Sequence, residues 1–306
     1  QKKSILKKDD IIMVHTGTPG YCCVIPDEYD ESNCIDAIVI KPDSTKVNPY
    51  FLEAYMNSIG YRYIQKQQVG CVQKHFNLSD AINFQLFLPE IGIQNRIGNF
   101  IHNINLKIFN NDDAISQLEA MAKTLYDYWF VQFDFPDENG KPYRTSGGKM
   151  VWNEQLKREI PKGWEVGRLC DIANITMGQS PTGESYNDIG DGLIFYQGRT
   201  DFGLRFPTPR MYTTAPTRFA QKGDILLSVR APVGDLNFAM EDCCIGRGLA
   251  ALNSKLGSQM HLFYTLTGFQ QIFKVMDGNG TTFGSITKDI LFGMAVVIPS
   301  DEILKC

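Results

Sequence analysis

Apolar residues recur at alternating intervals of four and three along residues 97–129, the repeat of a coiled-coil helix. The positions of this stripe, called the seam below, are Ile97, Ile101, Ile104, Ile108, Asn111, Ile115, Leu118, Ala122, Leu125 and Trp129. Neither proline nor glycine interrupts residues 100–131. The pattern predicts a helix of about 50 Å at 1.5 Å per residue. Its seam either faces a partner helix or lies on a domain surface.

Asn111 is the polar position of the seam. A buried amide at such a position fixes the register of two paired helices, at some cost in stability. The alternative is a tolerated defect beside a helix break at residues 110–113, where two asparagines precede two aspartates.

Short apolar runs on either side of this helix form an internal repeat. Residues 10–20 align with residues 224–234 at an offset of 214, each as a buried strand entered through an acidic turn and left through a Gly/Pro turn. Residues 84–88 align with 294–298 at an offset of 210, each as a strand that ends at proline. The shared order predicts two related α+β domains with twisted mixed sheets; chance similarity is the alternative.

These patterns divide the chain into five segments. They are a partial first domain (1–89), a central coiled-coil helix (90–131), a connector rich in turn formers (132–160), a second domain (161–300) and a short last segment (301–306). The first copy has no counterpart of residues 161–220, so we expect it to lack about its first half. The first residue is Gln1, and we expect a fragment or a chain trimmed at both ends.

The composition is that of a globular protein, with 43 % apolar residues and a formal charge of −4. No apolar run approaches the ~18 residues of a membrane-spanning helix, and no signal peptide is visible. The 8 cysteines include no C-x-x-C pair. We therefore expect reduced thiols, a cytoplasmic location and no metal site.

Catalytic motifs are scarce. The four histidines are scattered, and no H-E-x-x-H or G-x-S-x-G sequence occurs. Residues 48–50 read Asn-Pro-Tyr, which lacks the second proline of the amino-methyltransferase motif Asn-Pro-Pro-Tyr. We expect no active site within this chain.

Nucleic-acid chemistry is better supplied between residues 195 and 235. This stretch holds six basic residues (Arg199, Arg205, Arg210, Arg218, Lys222 and Arg230) against three aspartates, a local charge of +3 in an acidic protein. Arginine and glutamine can each form paired hydrogen bonds to a base edge in the major groove. A solvated loop surface is the competing interpretation.

Several motifs resemble those of specificity subunits of type I restriction–modification systems. They are residues 118–131 (LEAMAKTLYDYWFV), 160–165 (IPKGWE), 223–226 (GDIL) and 246–248 (GRG). The helix that ends in Tyr-Trp-Phe and is followed by Pro-Lys-Gly-Trp is the most specific of these signals. The resemblance covers nearly the whole chain, and the internal repeat supports it independently.

The resemblance implies a DNA-binding subunit without catalysis of its own. Two target recognition domains each recognise half of a split DNA site, and two antiparallel helices act as a ruler and dock the methyltransferase subunits. Restriction subunits complete the complex, and the partner subunits use S-adenosylmethionine, ATP and Mg. Residues 301–306 then begin a truncated distal helix. The central seam, left without an intramolecular partner, is expected to pair in trans with a second copy or with that helix.

DNA contacts are expected from loops of the second domain and from aligned positions of the first. These residues are Gln179, Ser180, Gln197, Arg199, Arg230, Arg247, Thr281, Thr282, Thr16 and Gln73. Arg247 has a structural alternative, an ion pair with a neighbouring carboxylate. Two other functions compete: the recognition part of a fused DNA methyltransferase or nuclease, and a coiled-coil scaffold without a DNA role.

Overall fold

A computed structural model describes residues 5–16, 19–62, 64, 78–230, 232–278 and 284–305. It divides into two units, Gln1–Leu118 and Glu119–Cys306. Each unit has its own hydrophobic core.

The first unit is built on a three-stranded antiparallel sheet. Its strands, in the order β2-β1-β3, are β1 (Ile11–Val14), β2 (Cys22–Val24) and β3 (Ala37–Ile40). Two short helices follow, α1 (Pro49–Tyr55) and α2 (Leu78–Ile82). Burial alternates along β1, so Ile11 and Met13 pack against Leu52 and Met56 while the intervening side chains point away.

The long helix α3 runs from Ile91 to Tyr126, 36 residues without a break. A π-helical turn, Asp127–Val131, continues it. At 1.5 Å per residue α3 is about 54 Å long. The long helix predicted from the seam is therefore confirmed, and it passes through Asn111 without the break that residues 110–113 could have caused.

The second unit contains most of the sheet structure. Its strands are β4 (Met150–Asn153), β5 (Arg158–Pro161), β6 (Glu165–Arg168), β7 (Ala173–Met177), β8 (Tyr186–Asn187), β9 (Leu193–Tyr196), β10 (Tyr212–Thr213), β11 (Phe219–Ala220), β12 (Ile225–Ser228), β13 (Leu236–Phe238), β14 (Cys243–Ile245), β15 (Leu249–Ser254) and β16 (Ala295–Ile298). Its helices are α4 (Leu169–Ile172), α5 (Gln259–Gly268), α6 (Gln270–Gly278), α7 (Lys288–Gly293) and α8 (Asp301–Lys305).

Two sheets dominate this unit. One has the antiparallel order β13-β12-β15-β7, and the other has the order β11-β14-β9-β10-β8, in which β14 and β9 are parallel. Side chains of β12 pack into two separate cores. Ile225 and Leu227 lie in one apolar cluster, and Leu226 lies in the other. β12 is buried along its whole length, as expected of a strand covered on both faces.

The internal repeat is present residue by residue. In the first unit Ile11 pairs with Val24 and Ile40, and in the second unit Ile225 pairs with Phe238 and Leu252. The offset of 214 thus relates β1 to β12 and β2 to β13 in the same register. Since a slip of one residue would reverse every side chain, equal registers mean equal buried faces.

The turns that flank these strands repeat as well. The buried carboxylates of Asp10 and Asp224 each accept a hydrogen bond from the backbone N–H three residues earlier, at 2.9 and 2.8 Å. Gly20 and Gly234 leave the strand with φ of +101° and +98°, a conformation that favours glycine. The prediction of two related α+β domains is confirmed.

One aligned pair differs in structure. Residues 295–298 form β16, which pairs with β6, whereas residues 84–88 form no strand, contrary to prediction. A strand needs a hydrogen-bonded neighbour. In the described part of the first unit, no segment corresponds to β6.

The predicted connector is more ordered than its turn formers suggest. β4 and β5 form a hairpin, and an aromatic cluster lies under it. Trp164 stacks on Phe135 at 5.0 Å between ring centroids and meets Phe133 edge-on at 5.5 Å. Trp129 and Ile303 pack against the same cluster, so this seam residue contributes to a core.

Candidate nucleic-acid interface

Four segments of the second unit meet at three glycines, called the glycine node below. They are the turn after β7, the end of β9, the end of β12 and the turn after β14. Gly178 N–H donates to the carbonyl of Leu249 at 2.9 Å, and Gly246 N–H donates to that of Tyr196 at 2.8 Å. Gly248 N–H donates to Gln197 at 3.2 Å. These backbone bonds connect loops whose residues lie up to 71 positions apart in sequence.

Side chains would not fit between these backbones. A Cβ on Gly178 would lie 2.1 Å from the carbonyl oxygen of Gly246, and a Cβ on Gly248 would lie 2.6 Å from that of Gln197. A Cβ on Gly246 would lie 2.9 Å from the Cα of Gln197. Glycine is required here because the backbones approach so closely.

Polar side chains surround the node. Gln179, Gln197, Arg230 and Arg247 are exposed, and Ser180 is half-buried where its Oγ accepts from the backbone N–H of Arg247 at 3.3 Å. The structure thus brings five of the predicted DNA-binding residues to one place. The node fixes their backbones, while the side chains of the four exposed residues extend into solvent.

Arg199 lies just beyond Gln197, in the 3₁₀ turn Arg199–Asp201. Its Nε lies 2.6 Å from Oδ2 of Asp235, and both side chains are about half exposed. Within the described chain, Arg247 has no ion-pair partner, so its structural alternative finds no support.

The remaining predicted residues are not part of this cluster. Thr16 lies in the first unit, exposed, with its Oγ1 3.1 Å from Nδ1 of His15. Gln73, Thr281 and Thr282 lie outside the described residues.

Three of the six basic residues have acidic partners, Arg199 and two others. The guanidinium of Arg205 lies 2.7 Å from Oε1 of Glu119 and 4.7 Å from the ring centre of Phe263. Arg210 contacts the nearly buried Asp201 through both Nε, at 2.6 Å, and Nη2, at 2.5 Å. The net charge of residues 195–235 therefore overstates the positive charge that is free to attract an anionic ligand.

Sequence analysis did not identify the segment of residues 217–218 that borders the node. Thr217 Oγ1 donates to the carbonyl of Gln179 at 2.5 Å, and the carbonyl of Arg218 accepts from Ile245 N–H at 2.9 Å. Arg218 is exposed beside the node. It was counted among the basic residues, but no sequence signal linked it to Gln179, 39 positions away.

Two buried titratable groups lie near the node. Burial raises the pKa of the Cys243 thiol to about 12 and raises the pKa of Tyr196 well above its usual range. Neither group ionises near neutral pH, so neither provides a nucleophile. The described residues contain no cluster of three or more His, Cys, Asp or Glu suited to a metal ion.

Residues 48–50, the partial methyltransferase motif, form a helix start. Asn48 caps α1, its side chain accepting from Phe51 N–H at 2.9 Å, and Pro49 occupies the first helical turn. The side chain of Gln94 accepts from Asn48 N–H at 3.1 Å. These contacts account for the motif without catalysis.

The seam on α3 is largely exposed. Six of its large apolar side chains are between 40 % and 64 % exposed: Ile97, Ile104, Ile108, Ile115, Leu118 and Leu125. Asn111 is exposed among them. An apolar stripe of this length is typical of an association surface. Among the described helices, α3 included, none is apolar enough over a sufficient length to cross a membrane.

Comparison with known proteins bears on both the fold and the family. Residues 161–305 match the family model of the type I restriction modification DNA specificity domain. The chain is 30 % identical over 276 residues to the putative type I restriction enzyme MjaX specificity subunit of Methanocaldococcus jannaschii, covering 88 % of this chain and 61 % of that relative. It is 22 % identical over 316 residues to the MjaIX specificity subunit of the same organism, covering 98 % and 69 %.

A solved structure shares the fold. The S subunit of a type I restriction–modification system from M. genitalium has a TM-score of 0.61 at 16 % identity, covering all of this chain and 75 % of that one. Because the chain spans about three fifths of the MjaX relative, the likeness concerns part of such a protein.

Proposed function

We propose that the chain is a type I restriction–modification specificity subunit, like the domain model and the MjaX relative that it matches, and that it binds DNA sequence-specifically and directs methylation and cleavage to a bipartite target site. The observation that carries the proposal is the glycine node with its rim of exposed Gln179, Gln197, Arg230 and Arg247 side chains. Double-stranded DNA is the proposed ligand.

The chemistry of this rim suits base recognition. Arginine pairs with the O6 and N7 atoms of guanine, and glutamine pairs with the N6 and N7 atoms of adenine, when each side chain extends into the major groove. A rigid backbone with mobile polar side chains satisfies the geometric requirement, since base contacts need fixed starting points. Arg218, at the border of the node, would contact phosphates and position the duplex.

Catalysis is assigned to partner subunits. We propose methyltransferase subunits and restriction subunits as partners, with S-adenosylmethionine, ATP and Mg used there and no catalytic residue contributed by this chain.

The exposed seam supports a further partner. We propose that in the isolated chain it pairs with the same helix of a second copy, and that in a complete complex a distal helix can take that place. Pairing would remove large apolar side chains such as Ile108 and Leu118 from water. A cytoplasmic location fits this function and the free thiols of the six described cysteines.

A selection experiment tests the proposed DNA recognition. The chain is co-expressed with the methyltransferase subunit of its own system, and the complex is incubated with a randomised duplex library before bound DNA is sequenced. We expect enrichment of two short half-sites at a fixed spacing. Arg247→Ala should relax base preference within one half-site, while Lys157→Ala, an exposed cation in the β4–β5 turn, should change nothing. Absence of any enriched sequence for the wild-type complex would refute the proposal.

A further inference from the structure

Asp235 is held rigidly beside the node. Its backbone N–H donates to Oγ of Ser228 at 2.9 Å, and its carbonyl accepts from Ser228 N–H at 2.9 Å. Ser228 is fully buried, and its hydroxyl donates in turn to the carbonyl of Pro232 at 2.9 Å. These bonds fix the backbone from which the Asp235 carboxylate extends, in the β12–β13 turn.

The Asp235 carboxylate is 40 % exposed, but one of its two oxygens is buried against a guanidinium. Oδ2 of Asp235 is a buried atom that accepts no hydrogen bond within the described structure. Nε of Arg199 lies 2.6 Å from it. Because this one oxygen is shielded from water, the guanidinium is its counter-charge, and the contact restrains the otherwise flexible arginine.

A second pair nearby shows a different arrangement. Arg210 uses both Nε and Nη2 on the single oxygen Oδ1 of Asp201, whose side chain is only 9 % exposed. One edge of that guanidinium is thus occupied. Arg199 contacts its carboxylate through Nε, and no other acidic residue of the described chain pairs with it.

An arginine restrained in this way is suited to base recognition. Guanine presents two acceptors, O6 and N7, to a pair of coplanar N–H donors, and the terminal nitrogens of a guanidinium match that spacing. Restraint through Nε leaves those terminal donors for the base and reduces the entropy lost on binding.

We propose that Asp235 is a positioning residue that orients Arg199 toward one guanine of the half-site recognised by the second domain. The proposal rests on the proposed function, since it needs sequence-specific DNA binding. The first domain has no such pair at the aligned position: offset 214 relates Asp235 to Tyr21, whose ring lies 4.3 Å from that of Tyr61. The effect of Asp235 is therefore confined to one half-site.

The test compares variants in the complex with the methyltransferase subunit, using the randomised duplex library. Arg199→Ala should reduce discrimination at one base pair by about 5- to 140-fold, the range of a lost bidentate contact. Asp235→Ala should relax the same base pair, and the double variant should be no worse than Arg199→Ala. Asp235→Asn, which keeps an oxygen at the same place, should retain preference for the same base. Lys157→Ala, which removes an exposed cation from the β4–β5 turn, is the control and should leave every base preference unchanged.

The outcomes separate this proposal from the broader one. If the wild-type complex selects two half-sites but Asp235→Ala and Asp235→Asn both leave base preference unchanged, the positioning role is wrong and the proposed function stands. A uniform rise in affinity for all sequences would show that Asp235 acts only by repelling phosphates, which also overturns the proposal. Relaxation at a base pair different from that of Arg199→Ala would mean an independent contact. If the wild type selects no sequence, both proposals fail.

Discussion

Replacing one glycine of the glycine node with alanine, which adds a single methyl group, tests whether the close backbone packing there supports DNA recognition. In Gly178→Ala, the new Cβ would lie 2.1 Å from the carbonyl oxygen of Gly246, and ordinary contact begins at 3.4 Å. The two backbones must therefore separate by about 1.3 Å, the difference between these distances. The obstructing atoms belong to the backbone, so rotation of a side chain cannot relieve the clash.

The expected cost follows from this geometry. Forcing extra volume into a packed site costs about 1–3 kcal/mol, and separation of the backbones also weakens the bond from Gly178 N–H to Leu249. The same movement displaces Gln179 and Arg247 from their positions on the rim. Loss of one base contact lowers affinity for the preferred sequence by another ~1–3 kcal/mol.

Gly198→Ala is the matched control. Gly198 follows Gln197 in the same region, yet nothing lies within 4 Å of a Cβ placed there, and its φ of −169° is extended backbone. We expect its free energy of unfolding, measured in urea, to lie within ~0.5 kcal/mol of the wild-type value. It should bind the preferred duplex as the wild type does.

Chemical denaturation and duplex binding by the complex measure these effects. Gly178→Ala should lower the urea midpoint and lose preference for the half-site, whereas Gly198→Ala should do neither. Equal stability and equal base preference in the two variants would refute the argument that the node positions the rim.

Three further predictions concern other parts of the molecule. Burial against Tyr126 and Phe130 lowers the pKa of His261 to about 4, so the unfolded state takes up a proton first as pH falls from 6.5. The free energy of unfolding, at its full value above pH 6.5, should therefore drop by up to about 3 kcal/mol by pH 4. A His261→Gln variant that keeps the same pH dependence in urea titrations would contradict this. The isolated chain should dimerise at micromolar concentration in sedimentation velocity and become monomeric when Ile108 and Leu118 are changed to lysine; a clean wild-type monomer would count against seam pairing. Seven residues inserted in α3 add about 10 Å, so the spacer should lengthen by about three base pairs with both half-sites unchanged, and altered half-site bases would argue against a ruler.

The long helix and the repeat could be predicted from sequence because both depend on short-range periodicity. A 3.5-residue apolar repeat specifies a helix wherever it occurs, and residues 10–20 and 224–234 encode the same turn and strand with the same local requirements. The buried aspartates at positions 10 and 224 make the same backbone contact because each caps its own turn.

Contacts between distant segments could not be predicted. Arg205 counted toward a basic surface, but Glu119 lies 86 positions away, and their ion pair depends on how the domain folds. The strand expected at residues 84–88 was wrong for the same reason, since an isolated apolar run does not reveal whether it has a neighbour. The glycine node likewise requires knowledge of which loops meet.

Glycines in the second unit determine how its loops pack and which polar side chains come together. Glycines let four backbones meet, the resulting hydrogen bonds fix the loops, and polar side chains on those loops are presented together. The equivalent strands of the first unit have the same register but carry different residues at aligned positions, such as Thr16 opposite Arg230. Related strands with different residues at aligned positions are what we expect of two domains that recognise different half-sites.

Methylation profiling of genomic DNA tests the central claim most directly. Cells carrying the complete system are compared with cells in which Gln179, Gln197 and Arg247 of this chain are changed to alanine. We predict methylation at one split site in the wild type and, in the variant, relaxed bases in one half-site with the other half-site and the spacer unchanged. Identical methylated sites in both strains, or a wild-type site that is not split, would contradict the account.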